Sequence, residues 1–372
     1  MDGRERIFSA YELREPDLTP LNEIMIDPPI VEKITGRKIK GFIGGSLVLN
    51  DEADYAYENG VSYALCCEKL DLDAVHIHWY WLRPIGFKYQ RDERSVIDEF
   101  GIKWAYSTEH KGGGYLGGLI KDEEDYKRWP KPNPYENGHA LTIEKSIKGI
   151  KSVTKGKKAL GVQIHDCFGR SWMRMGMAEF LVALIMKPNF AESLMDEQLN
   201  YFIELGKIAI DNGVEVISSG DDIAGNTGPF LNKEMVKRFF IPRWRKFVDS
   251  LKKHGAHFVI KHTDGKIDML MEDFIDVGFD GIHPLEFQNL EESKKLYGDK
   301  ICLMGRIDNY HVLPYGKEED VIRDVKASID ALSPGGGHII QSSNSLHYGC
   351  KIENIFTMRD YTRRYGIYPK VS

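Results

Sequence analysis

His257-Phe258-Val259-Ile260-Lys261-His262-Thr263-Asp264-Gly265 opens the stretch that decides the fold. It is a short Val/Ile-rich run ending in polar residues, followed by the amphipathic segment Ile267–Val277 and a second apolar run, Gly278–Pro284. A run too short for a helix, then a helical period, then another short run is a βα repeat. From about residue 141 the same alternation holds along the chain. With one further run upstream, it predicts strands at Leu72–His78, Leu160–His165, Val214–Gly220, His257–His262, Gly278–Pro284, Ile301–Arg306 and His338–Ser342. Helices are expected over Met177–Met186, Phe190–Ile210, Lys233–His254, Ile267–Val277, Leu290–Tyr297 and Lys317–Leu332, the last closed by Pro334 and three glycines.

A parallel sheet with helical crossovers either opens into a doubly wound sheet or closes into a barrel. No G-x-G-x-x-G joins a first strand to a helix, so the closed (β/α)8 TIM barrel is the expected fold, with residues 1–372 as a single barrel domain. Residues 1–60 read as an N-terminal helical extension. The polar, Gly/Pro-punctuated region of about 84–135 reads as a lid-like insertion over the barrel mouth, and Gly112–Gly118 within it as a mobile lid or hairpin rather than a phosphate loop. The eighth strand is expected within Lys40–Leu49 or within residues 84–135.

Fifty Lys+Arg against 56 Asp+Glu, with the signs interspersed, argue against a surface that tracks nucleic-acid phosphates. The longest apolar stretch, Phe180 to Met186, is far short of a bilayer span, and Met1–Arg6 lacks the apolar core of a signal peptide. Five cysteines without regular spacing read as free thiols. A cytoplasmic protein with no nucleic-acid or membrane partner is expected, and a homodimer is left open.

In a (β/α)8 barrel the loops after the strands converge on one mouth. Here the strand ends carry His76 and His78; His165, Asp166 and Cys167; Asp221 and Asp222; His262 and Asp264; His283 and Glu286; Arg306 and Asp308; Ser342, Ser343 and Asn344. A barrel built for stability alone does not need so many ionisable groups at one end. Trp79, Tyr80, Trp81, Phe87 and Tyr89 follow the first strand, and Phe168, Trp172, Met173, Met175 and Met177 follow Cys167. Rings and thioethers suit a flat apolar ligand, although the same residues could pack an insertion onto the barrel. His262, Asp264, Asp222, Glu286, His165 and Asn344 could supply nitrogen and oxygen ligands to zinc, and His-x-Asp places both side chains on one face of a strand. An acid–base cluster without metal would look alike.

Several motifs together resemble the uroporphyrinogen decarboxylase superfamily, in its corrinoid-dependent methyltransferase branch. They are Arg4-Glu5-Arg6-Ile7 with Pro16-Asp17-Leu18-Thr19-Pro20; Lys187-Pro188; Gly220-Asp221-Asp222-Ile223-Ala224-Gly225-Asn226-Thr227-Gly228-Pro229; Lys261–Gly265; Met304-Gly305-Arg306-Ile307-Asp308; and Gly335–Ile340 running to Glu353-Asn354-Ile355. The resemblance implies a (β/α)8 barrel. The arginine-bearing Met-Arg-Gln-Ala-Gly-Arg segment with which true decarboxylases hold a tetrapyrrole has no match here. Thiol-methylating members bind zinc through His-x-Cys and a distant Cys, and these positions read His262, Asp264 and Asn344, so the family site carries over at His262 alone.

Oxygen and imidazole ligands leave zinc a stronger Lewis acid than thiolates do, which suits activation of an ether oxygen. The chain therefore resembles the first methyltransferase of an aryl methyl ether O-demethylase. The resemblance implies transfer of a methyl group from a methoxylated aromatic compound to the cobalt(I) corrinoid of a partner protein. The expected metal ligands are His262, Glu286 and Asp222, with Asp222, His262, Asp264 and His165 as catalytic groups. His76, His78, Trp79, Trp81, Phe168, Trp172 and Asn344 are the expected substrate contacts. Two rivals are a metal-free decarboxylase or lyase of the same superfamily and a non-catalytic corrinoid-binding barrel.

Overall fold

The computed structural model describes residues 1–44, 47–49, 53–84, 89–105, 114–136 and 138–368. Seven parallel strands form one curled sheet: β1 (Ala74–His78), β2 (Ala159–Ile164), β3 (Val216–Gly220), β4 (Phe258–His262), β5 (Gly281–His283), β6 (Cys302–Met304) and β7 (His338–Ile339). They pair in chain order, each beside the next. All seven lie within a residue or two of their predicted spans, because buried parallel strands are written as near-continuous Val/Ile runs.

The seam between β7 and β1 is filled by the segment 18–26. Asn22 N–H donates to Ile340 O (3.0 Å) and Ile340 N–H to Pro20 O (2.9 Å), while on the other side Asp73 N–H donates to Leu21 O (2.7 Å). Bridges Leu21–Ile340 and Ile26–Leu346 are parallel. This segment completes a barrel of the (β/α)8 type, and the expected location of the eighth strand is thereby corrected. Phe42–Gly44 instead pairs antiparallel with Leu47–Val48, and residues 90–118 hold a separate four-stranded antiparallel sheet. Pro16, Pro20, Pro28 and Pro29 around the seam removed the strand signal from the sequence.

Helices follow the strands: α1 (Gly3–Tyr11) precedes them, and α2 (Ala53–Lys69) packs with α3 (His139–Thr154) behind β1. After β2 come α4 (Gly169–Met175), α5 (Met177–Met186) and α6 (Pro188–Asp211). The remaining strands are followed in turn by α7 (Ile241–His254), α8 (Met271–Val277), α9 (Leu290–Tyr297), α10 (Glu318–Leu332) and α11 (Ile352–Tyr365). The predicted helix Lys233–His254 is divided, with a π-turn at Val236–Phe240 before Pro242, where the proline cannot continue the donor ladder.

Helix α1 packs against the amino ends of the strands. Ile7, Ala10 and Tyr11 join Ala74, Ala159, Val216, Phe258 and Cys302 in one buried cluster, and the Tyr11 and Phe258 rings lie 4.9 Å apart. That end of the barrel is stopped with apolar side chains, and the polar residues collect at the other. Among the described residues, no helix is long and apolar enough to cross a membrane.

Candidate active site

At the carboxyl ends of the strands lies a cavity of about 460 Å³. Its floor is polar, with His78, Gln163, His165, Asp222, His262, Asp264 and Asn344. Its walls are soft and apolar, with Met25, Tyr80, Trp172, Met173, Met177 and Phe230. Tyr115, from the four-stranded sheet, packs its ring 5.3 Å from that of Trp172.

On the floor, one ligand atom from each of Asp222, His262 and Asp264 falls within 4.8 Å of the others. His262 Nε2 lies 3.9 Å from Asp222 Oδ1 and 3.7 Å from Asp264 Oδ1. The state of that nitrogen follows from a chain of hydrogen bonds. Ser342 O can only accept, so His283 Nε2–H donates to it (3.0 Å), and His283 Nδ1 then carries a lone pair. His262 Nδ1–H donates to that lone pair (2.8 Å), which leaves His262 Nε2 bare. Burial pushes the His262 imidazole down to about 3, with Lys261 adding to the effect, so the ring is neutral.

A bare nitrogen lone pair therefore faces two carboxyl groups. Asp264 Oδ2 accepts from Asn344 Nδ2 (2.5 Å), but its Oδ1 is buried without a hydrogen-bond partner. Burial, with Asp222 and Glu286 nearby, raises the Asp264 carboxyl well above the usual carboxylate range. Asp222 Oδ1 accepts Asp264 N–H (2.9 Å), which ties the two loops together. Lone pairs pointed at one another without a donor are repulsive; a cation between them removes the repulsion. Zinc ligands lie about 2.0–2.2 Å from the ion, so ligand atoms around one ion are roughly 3–4 Å apart. The separations here have that size, and a nitrogen with two oxygens is a donor set that zinc accepts. The residues fit a zinc ion.

Glu286 stands outside the trio: its Oε2 accepts Gly265 N–H (3.3 Å), and its side chain lines a neighbouring cavity with Arg306 and Tyr310. Of the expected ligands, His262 and Asp222 stand together with Asp264, whereas Glu286 lies apart with the Gly265 backbone donor in front of its carboxyl group. Arg306 and Asp308, neighbours at one strand end, find different partners: Arg306 lies 3.9 Å from Asp324, while Asp308 accepts the N–H groups of Tyr310 and His311.

Across the floor, His165 Nδ1 bonds Asp221 Oδ1 at 2.6 Å, and Asp221 Oδ2 accepts the N–H groups of Asp166 (3.0 Å) and Phe168 (2.8 Å). Lys261 Nζ, fully buried, donates to Asp166 Oδ2 (2.7 Å), Ser219 Oγ (3.0 Å) and Asp221 O (2.9 Å). Neither Asp221 nor Lys261 was singled out from sequence as a site residue. A lysine inside an otherwise apolar strand, with aspartates at two adjacent strand ends, was the available signal. His78 Nδ1 accepts Tyr80 N–H (3.1 Å), so this imidazole presents its Nε2–H.

Four expected substrate contacts are core residues. Trp79 is fully buried and stacks on His139 with centroids 4.7 Å apart, and Trp81 packs edge-on to Tyr63 (4.9 Å). His76 is buried beneath the floor, and Phe168 packs against Phe180 and Phe240. Tyr80, between the two tryptophans, is the ring that reaches the cavity, because the tight turn at Trp79–Trp81 sends its first and third side chains inward together. His78, Trp172 and Asn344 do line the cavity; Phe87 lies outside the described residues.

The strand-end mouth of the barrel thus holds an imidazole with two carboxyl groups under an aromatic wall. Residues 94–365 match the uroporphyrinogen decarboxylase (URO-D) family model, and the chain belongs to that family. Two methylcobamide:CoM methyltransferases (MtaA) of Methanosarcina barkeri are similar to it. The one from strain Fusaro is 27% identical over 169 residues, 44% of this chain and 48% of that protein, and the other is 25% identical over 168 residues, with the same coverage. The chain thus spans about half the length of the curated relatives it matches. A methyltransferase from Methanosarcina mazei has the same fold, with a TM-score of 0.77 at 15% identity over 98% of this chain and 99% of that one. By their names, the two Methanosarcina barkeri proteins belong to the branch that the motifs resemble.

Proposed function

We propose that the chain is a corrinoid-dependent methyltransferase that takes a methyl group from a methoxylated aromatic compound and passes it to the cobalt(I) corrinoid of a separate protein, with zinc held by Asp222, His262 and Asp264. The observation that carries this reading is the bare His262 Nε2 facing two carboxyl groups on the floor of an aromatic cavity. When bound, zinc supplies a Lewis acid for an ether oxygen and the corrinoid supplies a nucleophile for the methyl carbon.

The chain's own residues do the rest. Tyr80, Trp172 and Phe230 offer ring faces to an aromatic substrate, and Met25, Met173 and Met177 fit around it and displace water. His283 and Ser342 hold His262 in the tautomer that leaves Nε2 free, and Asn344 orients Asp264. Two carboxylates bring the same formal charge as two thiolates, but hard oxygen donors give less electron density to zinc than thiolate sulfur does, which keeps the Lewis acid strong.

The rival reading has one observation in its favour: a proton on Asp264 would also relieve the lone-pair repulsion. Metal analysis of protein purified without added zinc separates the two. About one zinc per chain is expected, falling severalfold in His262→Ala, with methoxyaromatics then demethylated only when cobalt(I) corrinoid is supplied. Protein that is metal-free and takes up no added zinc would sink the ether-activation reading in favour of the metal-free lyase.

A further inference from the structure

His165 is buried at the edge of the cavity, and its Nε2 has no hydrogen-bond partner. Its tautomer is fixed from behind. Both oxygens of Asp221 are acceptors, Oδ2 toward the two backbone N–H groups and Oδ1 toward the imidazole, so the ring's proton lies on Nδ1 and Nε2 is a bare lone pair. The arrangement is closely built: a Cβ on Gly169 would come within 2.3 Å of Asp221 Oδ1 and 3.1 Å of His165 Nδ1, so only glycine lets α4 start against the pair. The nearby ring of Phe202, at 5.3 Å, walls one side and offers the nitrogen no conventional donor. A buried acceptor without a donor is unfavourable unless a ligand or water supplies one.

We propose that the cavity reads a hydroxyl group: the substrate carries a free O–H that donates to His165 Nε2, with Asp221 as the positioning residue that makes this nitrogen an acceptor. The substrate class narrows to aromatics bearing a hydroxyl as well as a methoxy group. That narrowing rests on the methyl-donor reading above, whereas the hydroxyl contact is tested by binding and needs no turnover.

The probes are 2-methoxyphenol and 1,2-dimethoxybenzene, which differ by one O–H, titrated against the purified protein while tryptophan fluorescence is followed, since Trp172 lines the cavity. The native protein should bind the phenol about tenfold more tightly, the worth of one hydrogen bond to a buried acceptor. In Asp221→Asn the amide oxygen can keep the two backbone N–H groups while its N–H₂ donates to His165 Nδ1. The imidazole is then forced to carry its proton on Nε2, and the preference should vanish or reverse. His165→Phe should bind both probes alike. A nitrogen-15 spectrum of histidine-labelled native protein, with His165 assigned by His165→Gln, gives a second reading if Asp221→Asn fails to fold; a bare Nε2 is expected. Equal binding of the two probes by native protein, binding of neither, a preference unchanged in Asp221→Asn, or a protonated Nε2 would each overturn the contact. A phenol preference without methyl transfer would leave the contact standing and remove the methyl-donor reading; methyl transfer without the preference would do the opposite.

Discussion

His283 shows how much of a binding site is made by residues that do not touch the ligand. It sits on β5, opposite His262 in register, where its ring stacks on that of His262 (5.1 Å) and its Nδ1 accepts the His262 Nδ1–H. In His283→Phe that proton has no acceptor, and the ring is free to turn or to change tautomer. Zinc affinity should fall about 10–100-fold, as when the partner of a metal-bound histidine is removed. Competition against a chelator measures it, and an unchanged affinity would mean that packing alone holds His262. The His-x-Asp spacing could be read from the sequence because side chains two apart on a strand share a face. The tautomer could not, since it depends on Ser342, 80 positions away from His262 in the chain and three strands along in the sheet.

The seam segment carries a buried acid of its own. Glu23 accepts Ser342 N–H (3.0 Å) and Ser342 Oγ–H (2.6 Å), and burial pushes its carboxyl up to about 8 against an ordinary value near 4.5. The folded state therefore holds this proton where the unfolded chain gives it up. Its contribution is most favourable below about pH 4.5 and is lost as pH rises through 8. Thermal melts of native protein and Glu23→Gln should diverge progressively between pH 5 and 9, the variant becoming the more stable by up to a few kcal/mol at the alkaline end. Parallel curves would remove Glu23 as the cause. At this scale the sequence was a good guide where elements follow simple rules. Seven Val/Ile runs became seven strands, and the expected helices end within about one residue of their observed ends, although α7 and α8 start later than expected, at Ile241 and Met271. It misled where proline hid a backbone that still pairs through its carbonyls, as at Pro20, and where a single tight turn decided which of Trp79, Tyr80 and Trp81 faces the ligand.

Across the whole molecule, one buried ionic cluster ties β1, the four-stranded sheet and α3 together. Arg83 donates to Asp98 Oδ2 and Glu99 Oε1, both at 3.0 Å, and His139 Nε2 bonds the same Glu99 oxygen at 3.1 Å. Asp98 also accepts the N–H groups of Phe100 and Ile102 and the Trp104 indole. Arg83→Met would take the nearest cation from two buried carboxylates, leaving Arg170 at 3.5 Å from Asp98 and His139 on Glu99, and a loss of about 3–5 kcal/mol is expected in urea unfolding at neutral pH. A loss under 1 kcal/mol would show that the cluster does not couple these parts. Helix α1 has a different consequence at this scale. With Tyr11 and Ile7 stopping the far end, the chamber is a cul-de-sac whose floor is Asp222, His262 and Asp264. On the methyl-transfer reading proposed above, small molecule and protein partner would both approach from the strand-end side, so a partner seated on the rim would close over what is already inside. That reading would make order of arrival a property of the architecture, with the small molecule loaded before its stopper.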